Sequence, residues 1–293
     1  MQYLHSICLP DGEQEFIQLA KKDYRGQMTC FENQYPFGIF PERELSRVEF
    51  APITIFAGGN GSGKSTLLNV LAEKLQLGRG APFNTTPFFG TYIRLCHVDC
   101  DEGRVGGRII TSDDVFQSIL AGREANRRRD AEREALLQEY WEERGRRENG
   151  NGFRMTSLDY ADKLKKSNLT RGTPSRYVRE YLSRPTQEAS NGECALDFFA
   201  NAIGENALYL LDEPENSLSP LYQTKLVQFL EDSVRFYGCQ LVIATHSPIL
   251  LSLRGARIYN MDARPVSTCR WTELENVRLL HDFFCDRDDE FNR

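Results

Sequence analysis

Apolar and polar positions along this chain switch between two periods, and the switches mark its elements. Residues Tyr3 to Leu9 alternate in strand fashion and end in the turn signals Pro10-Asp11-Gly12. The run Ile53-Thr54-Ile55-Phe56-Ala57 is a short, continuously apolar segment and predicts a buried strand. Helical spacing follows from Lys64 to about Leu77, stopping near Gly78. Thr91 to Val98 reads as a further strand. Ser112 to Arg147 reads as one long helix, with Ser112, Asp113 and Asp114 as its cap and first turn. Its pairs Val115/Ile119, Ala131/Ala135 and Leu136/Tyr140 are spaced i, i+4 between charged residues. At ~1.5 Å per residue such a helix is on the order of 50 Å long. The run 148–152 (Glu-Asn-Gly-Asn-Gly) breaks it, and a second helical stretch is expected from Ser157 to Lys166. Two more apolar runs, Leu208 to Leu211 and Leu241 to Ala244, predict buried parallel strands. Near the C-terminus, Trp271 to Arg278 reads as a helix start capped by Thr272.

Chemistry gathers at the ends of three of these strands. Gly58 to Thr66 reads GGNGSGKST and fits the P-loop pattern, with Gly58 first, then Gly63, Lys64 and Ser65. A strand precedes it and a helix follows. Glycines let the backbone wrap a phosphate closely, and amides at a helix N-terminus point at the anion. Lys64 suits the β- and γ-phosphates, and the Ser65 hydroxyl suits magnesium. The strand Leu208–Leu211 ends in Asp212 and Glu213. Asp212 suits a magnesium shell, and Glu213 suits the base that polarises an attacking water. The third strand is followed by Thr245-His246-Ser247-Pro248, where His246 can contact a γ-phosphate or orient the water. Cys96 and Cys100 lack a second cysteine pair and make a weak zinc signal.

Composition narrows the reading. The 293 residues carry 36 Lys and Arg against 42 Asp and Glu, so the chain as a whole is not a basic nucleic-acid binder. From Arg123 to Arg184, however, 16 Lys and Arg face 11 Asp and Glu. The predicted long helix, with its Arg127-Arg128-Arg129 run, is the basic part. That run suits phosphate contacts, and it equally suits a solvated helix whose charges pair along its own surface. No segment is apolar and long enough to span a membrane, and the N-terminus lacks a signal-peptide apolar core. The eight scattered cysteines read as reduced thiols, so a cytoplasmic location is expected.

The order GGNGSGKST, LYLLDEPENSLSP, ATHSP resembles the ABC-type ATPases, in the soluble branch that includes SMC, RecF and the overcoming-lysogenization-defect proteins. The resemblance covers Ile53 to Leu77 and Glu188 to Leu253. It implies an α/β fold: an ABC-type P-loop NTPase core with N-terminal antiparallel strands and an inserted helical arm. The divisions would be 1–111 for the N-terminal core, 112–186 for the arm and 187–293 for the C-terminal core. It implies ATP and Mg2+ as cofactors, with Gly58, Asn60, Gly61, Ser62, Gly63, Lys64, Ser65 and Thr66 on the nucleotide. Ser65 and Asp212 would hold the metal, Glu213 would be catalytic, and His246 would be the H-switch. Ser217 to Pro220 would form the D-loop. Ala189-Ser190-Asn191-Gly192-Glu193 stands where the family has its LSGGQ signature and keeps two of five positions, Ser190 and Gly192. The family's Q-loop glutamine is missing after Thr91–Val98. His97, Asp99 or a residue of the following loop could stand in, and Gln117 falls on the arm.

Three functions fit this reading. The first is a soluble ATPase that forms a homodimer through two ATP sites. Its arm would sense nucleic acid or a protein, in anti-phage defence or DNA repair. The second is the nucleotide-binding subunit of a transporter, against which stand the missing glutamine, the altered signature and the charged arm. The third is a nuclease. Only 47 residues follow His246, too few for an appended nuclease domain, so a nuclease or toxin effector would be a separate protein.

Overall fold

The computed structural model describes residues 2–20, 34–101, 106–148, 173–175, 178 and 191–291. It contains two sheets. The smaller is antiparallel and joins β1 (Leu4–Cys8), β2 (Arg47–Glu49) and β5 (His97–Cys100) in the order β2-β1-β5. The larger has seven strands in the order β10-β9-β3-β8-β7-β6-β4. Its members are β3 (Ile53–Ala57), β4 (Gly78–Arg79), β6 (Gly107–Thr111), β7 (Leu208–Asp212), β8 (Gln240–Thr245), β9 (Arg257–Asn260) and β10 (Ser267–Cys269). All neighbours in it are parallel except β9 and β10. The three strands read from continuous apolar runs, β3, β8 and β7, are adjacent at its centre. Burial on both faces explains why they do not alternate.

The P-loop helix α2 (Lys64–Leu75) buries Leu67, Leu68, Val70 and Leu71 against the core. Gln240 ties the two sheets together and is fully buried. Its Oε1 accepts hydrogen bonds from the backbone N–H of Tyr3 and of Leu4, both at 2.8 Å. Its Nε2 donates to the carbonyls of Leu4 (2.8 Å) and Ala51 (3.1 Å). Each polar atom of this core amide is thereby satisfied.

Three local expectations are corrected. Pro10-Asp11-Gly12 is a helix start: α1 spans Gly12–Ala20, and Asp11 Oδ1 accepts from Gln14 N at 2.8 Å as an N-terminal cap. Thr91 to Leu95 are helical, within α3 (Phe89–Leu95). The buried positions Phe89, Tyr92 and Cys96 recur at three and four residues, a helical period that β-branched and aromatic content concealed. Thr272 is not a helix cap. Trp271–Glu273 is a 3₁₀ turn, and α8 runs from Glu275 to Cys285.

The chain divides into two compact units, residues 1–117 with 191–293, and residues 118–190. Helix α4 (Ser112–Glu148) begins in the first and continues into the second. In the second unit Arg128 pairs with Glu124 one turn earlier at 2.6 Å, both well exposed. The helical stretch expected at 157–166 lies outside the described residues. The first unit also holds α5 (Asn191–Ala202), α6 (Pro220–Phe236), α7 (Pro248–Leu251) and α9 (Asp288–Phe291).

Candidate active site

The C-terminal ends of β3, β7 and β8 meet, and the predicted chemistry sits on them. After β3 the chain curls from Gly58 to Gly63. Gly61 and Gly63 have φ of +78° and +92°, a region costly for other residues, and Gly63 caps α2. Lys64 is buried and folds back into the curl. Its Nζ donates to the carbonyls of Gly58 and Gly59, both at 2.8 Å, and lies 3.3 Å from Ser62 Oγ. The ammonium thus holds the loop in the shape an anion would need. Tyr35 donates through its hydroxyl to Thr66 Oγ1 at 3.2 Å.

Ser65 Oγ donates to Asp212 Oδ1 at 2.9 Å. This bond joins the loop after β3 to the end of β7. Burial pushes the Asp212 carboxyl up to about 6, against the lowering effect of the Ser65 bond, and neighbouring Glu213 raises it further. Its acidic environment would suit a divalent cation: a hydroxyl and a carboxylate are hard oxygen donors of the kind magnesium takes. Ser65 and Asp212 line a cavity of about 370 Å³ with Tyr35, Arg79, Thr111 and Asp113.

Glu213 leaves the strand with φ of +47°. Its N–H donates to Ala244 O at 2.9 Å, and its Oε2 accepts from Asn216 Nδ2 at 2.9 Å. The turn swings the carboxylate out of the sheet, leaving its Oε1 3.8 Å from His246 Nδ1. Glu213, His246 and Asn60 share a second cavity, of about 830 Å³, with Gly58, Asp262 and Asn276. The imidazole of His246 is half-exposed there.

The signature-like segment is only partly described. Ser190 lies outside the described residues. Gly192, in the first turn of α5, is buried, and a Cβ built on it would collide with the Tyr222 ring on α6. Close packing against Tyr222 therefore favours a residue without a side chain at this position.

Four residues escaped the sequence reading. Glu215 is 5 % exposed, and its Oε1 accepts from Thr245 Oγ1 (2.5 Å), His246 N (3.0 Å) and Ser247 N (3.2 Å). Asp262, just past β9, accepts from Gly59 N at 2.8 Å. Arg43 donates to the carbonyls of Met261 (2.5 Å) and Gly61 (3.0 Å), bracing the loop from outside. Thr111 ends β6, in register with Asp212 on β7. The strand beside β7 is therefore β6, not the 91–98 segment. His97 and Asp99 belong to the antiparallel sheet, and α4 starts directly after Thr111. Only Glu215 had a sequence signal, as an acid two positions beyond Glu213. The others are brought in by long-range packing. Cys96 is buried, and its thiol, pushed up to about 12 by burial, donates to Tyr92 O.

The family described as "AAA domain, putative AbiEii toxin, Type IV TA system" matches residues 101–252. That span is more than half of the chain and contains Gly192, Asp212, Glu213 and His246, while the P-loop precedes it. No curated protein matches. Among solved structures, one titled "An inward-facing conformation of a putative metal-chelate type ABC transporter" is 20% identical, with a TM-score of 0.37 over 78% of this chain and 76% of that one. The Smc head domain of Pyrococcus furiosus, with an extended coiled coil and bound to the C-terminal domain of ScpA, is 12% identical. Its TM-score is 0.35 over 81% of this chain and 94% of that one. A dimeric ATP-binding cassette in a post-hydrolysis state, bound to ADP and phosphate, is 12% identical, with a TM-score of 0.34 over 78% and 90% of the two chains.

Proposed function

We propose that this chain, which belongs to the AAA-domain family matched above and has the ABC-type P-loop core of the SMC and RecF group, binds ATP with magnesium and hydrolyses it. The observation that carries the reading is the Ser65–Asp212 bond with Glu213 turned out beside it. It joins a P-loop hydroxyl to the carboxylate that ends β7, while the next carboxylate turns toward the cavity it shares with His246.

In this reading the amides of Gly61, Ser62 and Gly63, with the nearby side chains of Asn60 and Thr66, cradle the phosphates. Lys64 exchanges the carbonyls of Gly58 and Gly59 for β- and γ-phosphate oxygens. Ser65 and Asp212 would hold the metal, whose charge would stabilise the negative charge developing on the phosphate. Glu213 accepts a proton from water as the water oxygen bonds to the γ-phosphorus and the bond to ADP breaks. His246 orients that water or contacts the γ-phosphate. The test is ATP turnover by the wild type beside Lys64→Ala. The reading expects turnover by the first and a loss of nucleotide affinity in the second.

Two chains would close on two ATP molecules, with Ser190 and Gly192 of one completing the site of the other, by resemblance to the family. The arm would contact nucleic acid or a protein. The family's description in terms of a putative toxin and a type IV toxin–antitoxin system supports a defence role; a separate effector and a cytoplasmic location are further parts of this proposal. No described helix is long and apolar enough to cross a membrane.

A further inference from the structure

His246 follows the last residue of β8, so no neighbouring strand fixes its backbone. Side chains do so instead. Its N–H donates to Glu215 Oε1 at 3.0 Å, and its carbonyl accepts from Asn276 Nδ2 at 3.0 Å. The same Glu215 oxygen takes the N–H of Ser247 and the hydroxyl of Thr245. Three donors converge on this oxygen, whereas Glu215 Oε2 is buried without a hydrogen-bond partner among the described residues. The imidazole lies on the same group, with Nδ1 3.4 Å from Oε1.

Glu215 also belongs to the turn that carries Glu213. Asn216 N–H donates to Glu213 O at 3.2 Å and Leu218 N–H to Glu215 O at 2.9 Å, so the two acids share one compact loop. Glu215 is 5 % exposed, and the hydrogen bonds to its Oε1 all come from the Thr245–Ser247 turn. We propose that Glu215 is a positioning residue: it fixes the His246 turn against the Glu213 turn, so that imidazole and base face one cavity as a unit. The inference rests on the ATPase reading for its effect on rate, but not for its effect on His246. A movement of the Glu213 loop is passed to His246 through this carboxylate, beside the direct bond from Glu213 N–H to Ala244 O.

The test uses Glu215→Gln and Glu215→Ala in the full chain. The glutamine carbonyl can still accept the three hydrogen bonds, whereas alanine removes the acceptor. Three quantities are measured: the Kd for an ATP analogue, kcat for ATP, and the ring resonances of His246. The chain has four histidines, and the His246→Gln spectrum assigns the signal. The expected result for Glu215→Ala is a Kd within threefold of wild type, kcat lowered at least tenfold and a displaced His246 signal. Glu215→Gln should recover much of kcat and keep the His246 turn, and it carries the test if the alanine variant fails to fold. In that case the expected result is kcat between those of wild type and His246→Gln, with a displaced ring signal. Wild-type kcat together with an unchanged His246 signal in the variants would overturn the proposal. Should the wild type itself not hydrolyse ATP, the ATPase reading fails, and the His246 signal alone decides the role of Glu215.

Discussion

Ser65 and Asp212 stand 147 positions apart and share a hydrogen bond of 2.9 Å. The bond exists because β3, β8 and β7 are consecutive in the sheet, which brings the start of α2 to the end of β7. Ser65→Ala should leave the fold intact and weaken the magnesium dependence of nucleotide binding at least tenfold. Titrating magnesium against a non-hydrolysable ATP analogue measures it. Adding EDTA to the wild type should abolish turnover, and turnover that persists in EDTA would remove the metal from the account.

The contact of Gly192 with Tyr222 yields a stability prediction independent of nucleotide. Gly192→Ala forces a methyl group into the ring. Overpacking of this kind typically costs about 1–3 kcal/mol. A thermal melt should show the loss, and adding Tyr222→Ala should recover part of it. A melt unchanged by Gly192→Ala would show that the Tyr222 contact does not require glycine here.

Gln240 offers a second stability test. Gln240→Leu keeps the volume but removes the four hydrogen bonds that Gln240 makes to the backbone of Tyr3, Leu4 and Ala51. Each buried group left unsatisfied costs about 1–3 kcal/mol. Chemical denaturation should show a loss of at least that size, with hydrogen exchange at Leu4 accelerated.

The arm gives a prediction of a different kind. If Arg127, Arg128 and Arg129 grip phosphates, binding to nucleic acid should fall steeply with salt, and replacing all three by glutamine should weaken it further at unchanged basal ATPase. The Arg128–Glu124 pair is the contrary reading made visible, since a residue already paired along its own helix has less charge to offer. Absence of binding at low salt with ATP present would move the arm to protein recognition.

The sequence made the centre of the sheet legible and its margins obscure, for one reason. Strands buried on both faces, such as Ile53–Ala57 and Leu208–Asp212, are continuous apolar runs ending in reactive residues, and both the run and the ending are local. The short strands β4 and β10 have two and three residues and no pattern of their own. The helix at Phe89–Leu95 reads locally as a strand because Thr91, Tyr92 and Ile93 have strand-like side chains, while its period needs Phe89 and Cys96 to be seen. The residue beside Asp212 in the sheet is Thr111, at the end of β6. Arg43 and Asp262 touch the P-loop through carbonyl and amide groups, which leave no mark in a motif.

The most direct test of the account is a single-turnover assay on wild type and Glu213→Gln, with ATP binding measured on the same samples. Both proteins should bind ATP with magnesium. The wild type should convert it to ADP and phosphate, and Glu213→Gln should do so about 10²–10⁴-fold more slowly, the range for loss of a general base. Wild-type protein that binds no ATP, or a Glu213→Gln variant that hydrolyses at the wild-type rate, would contradict it.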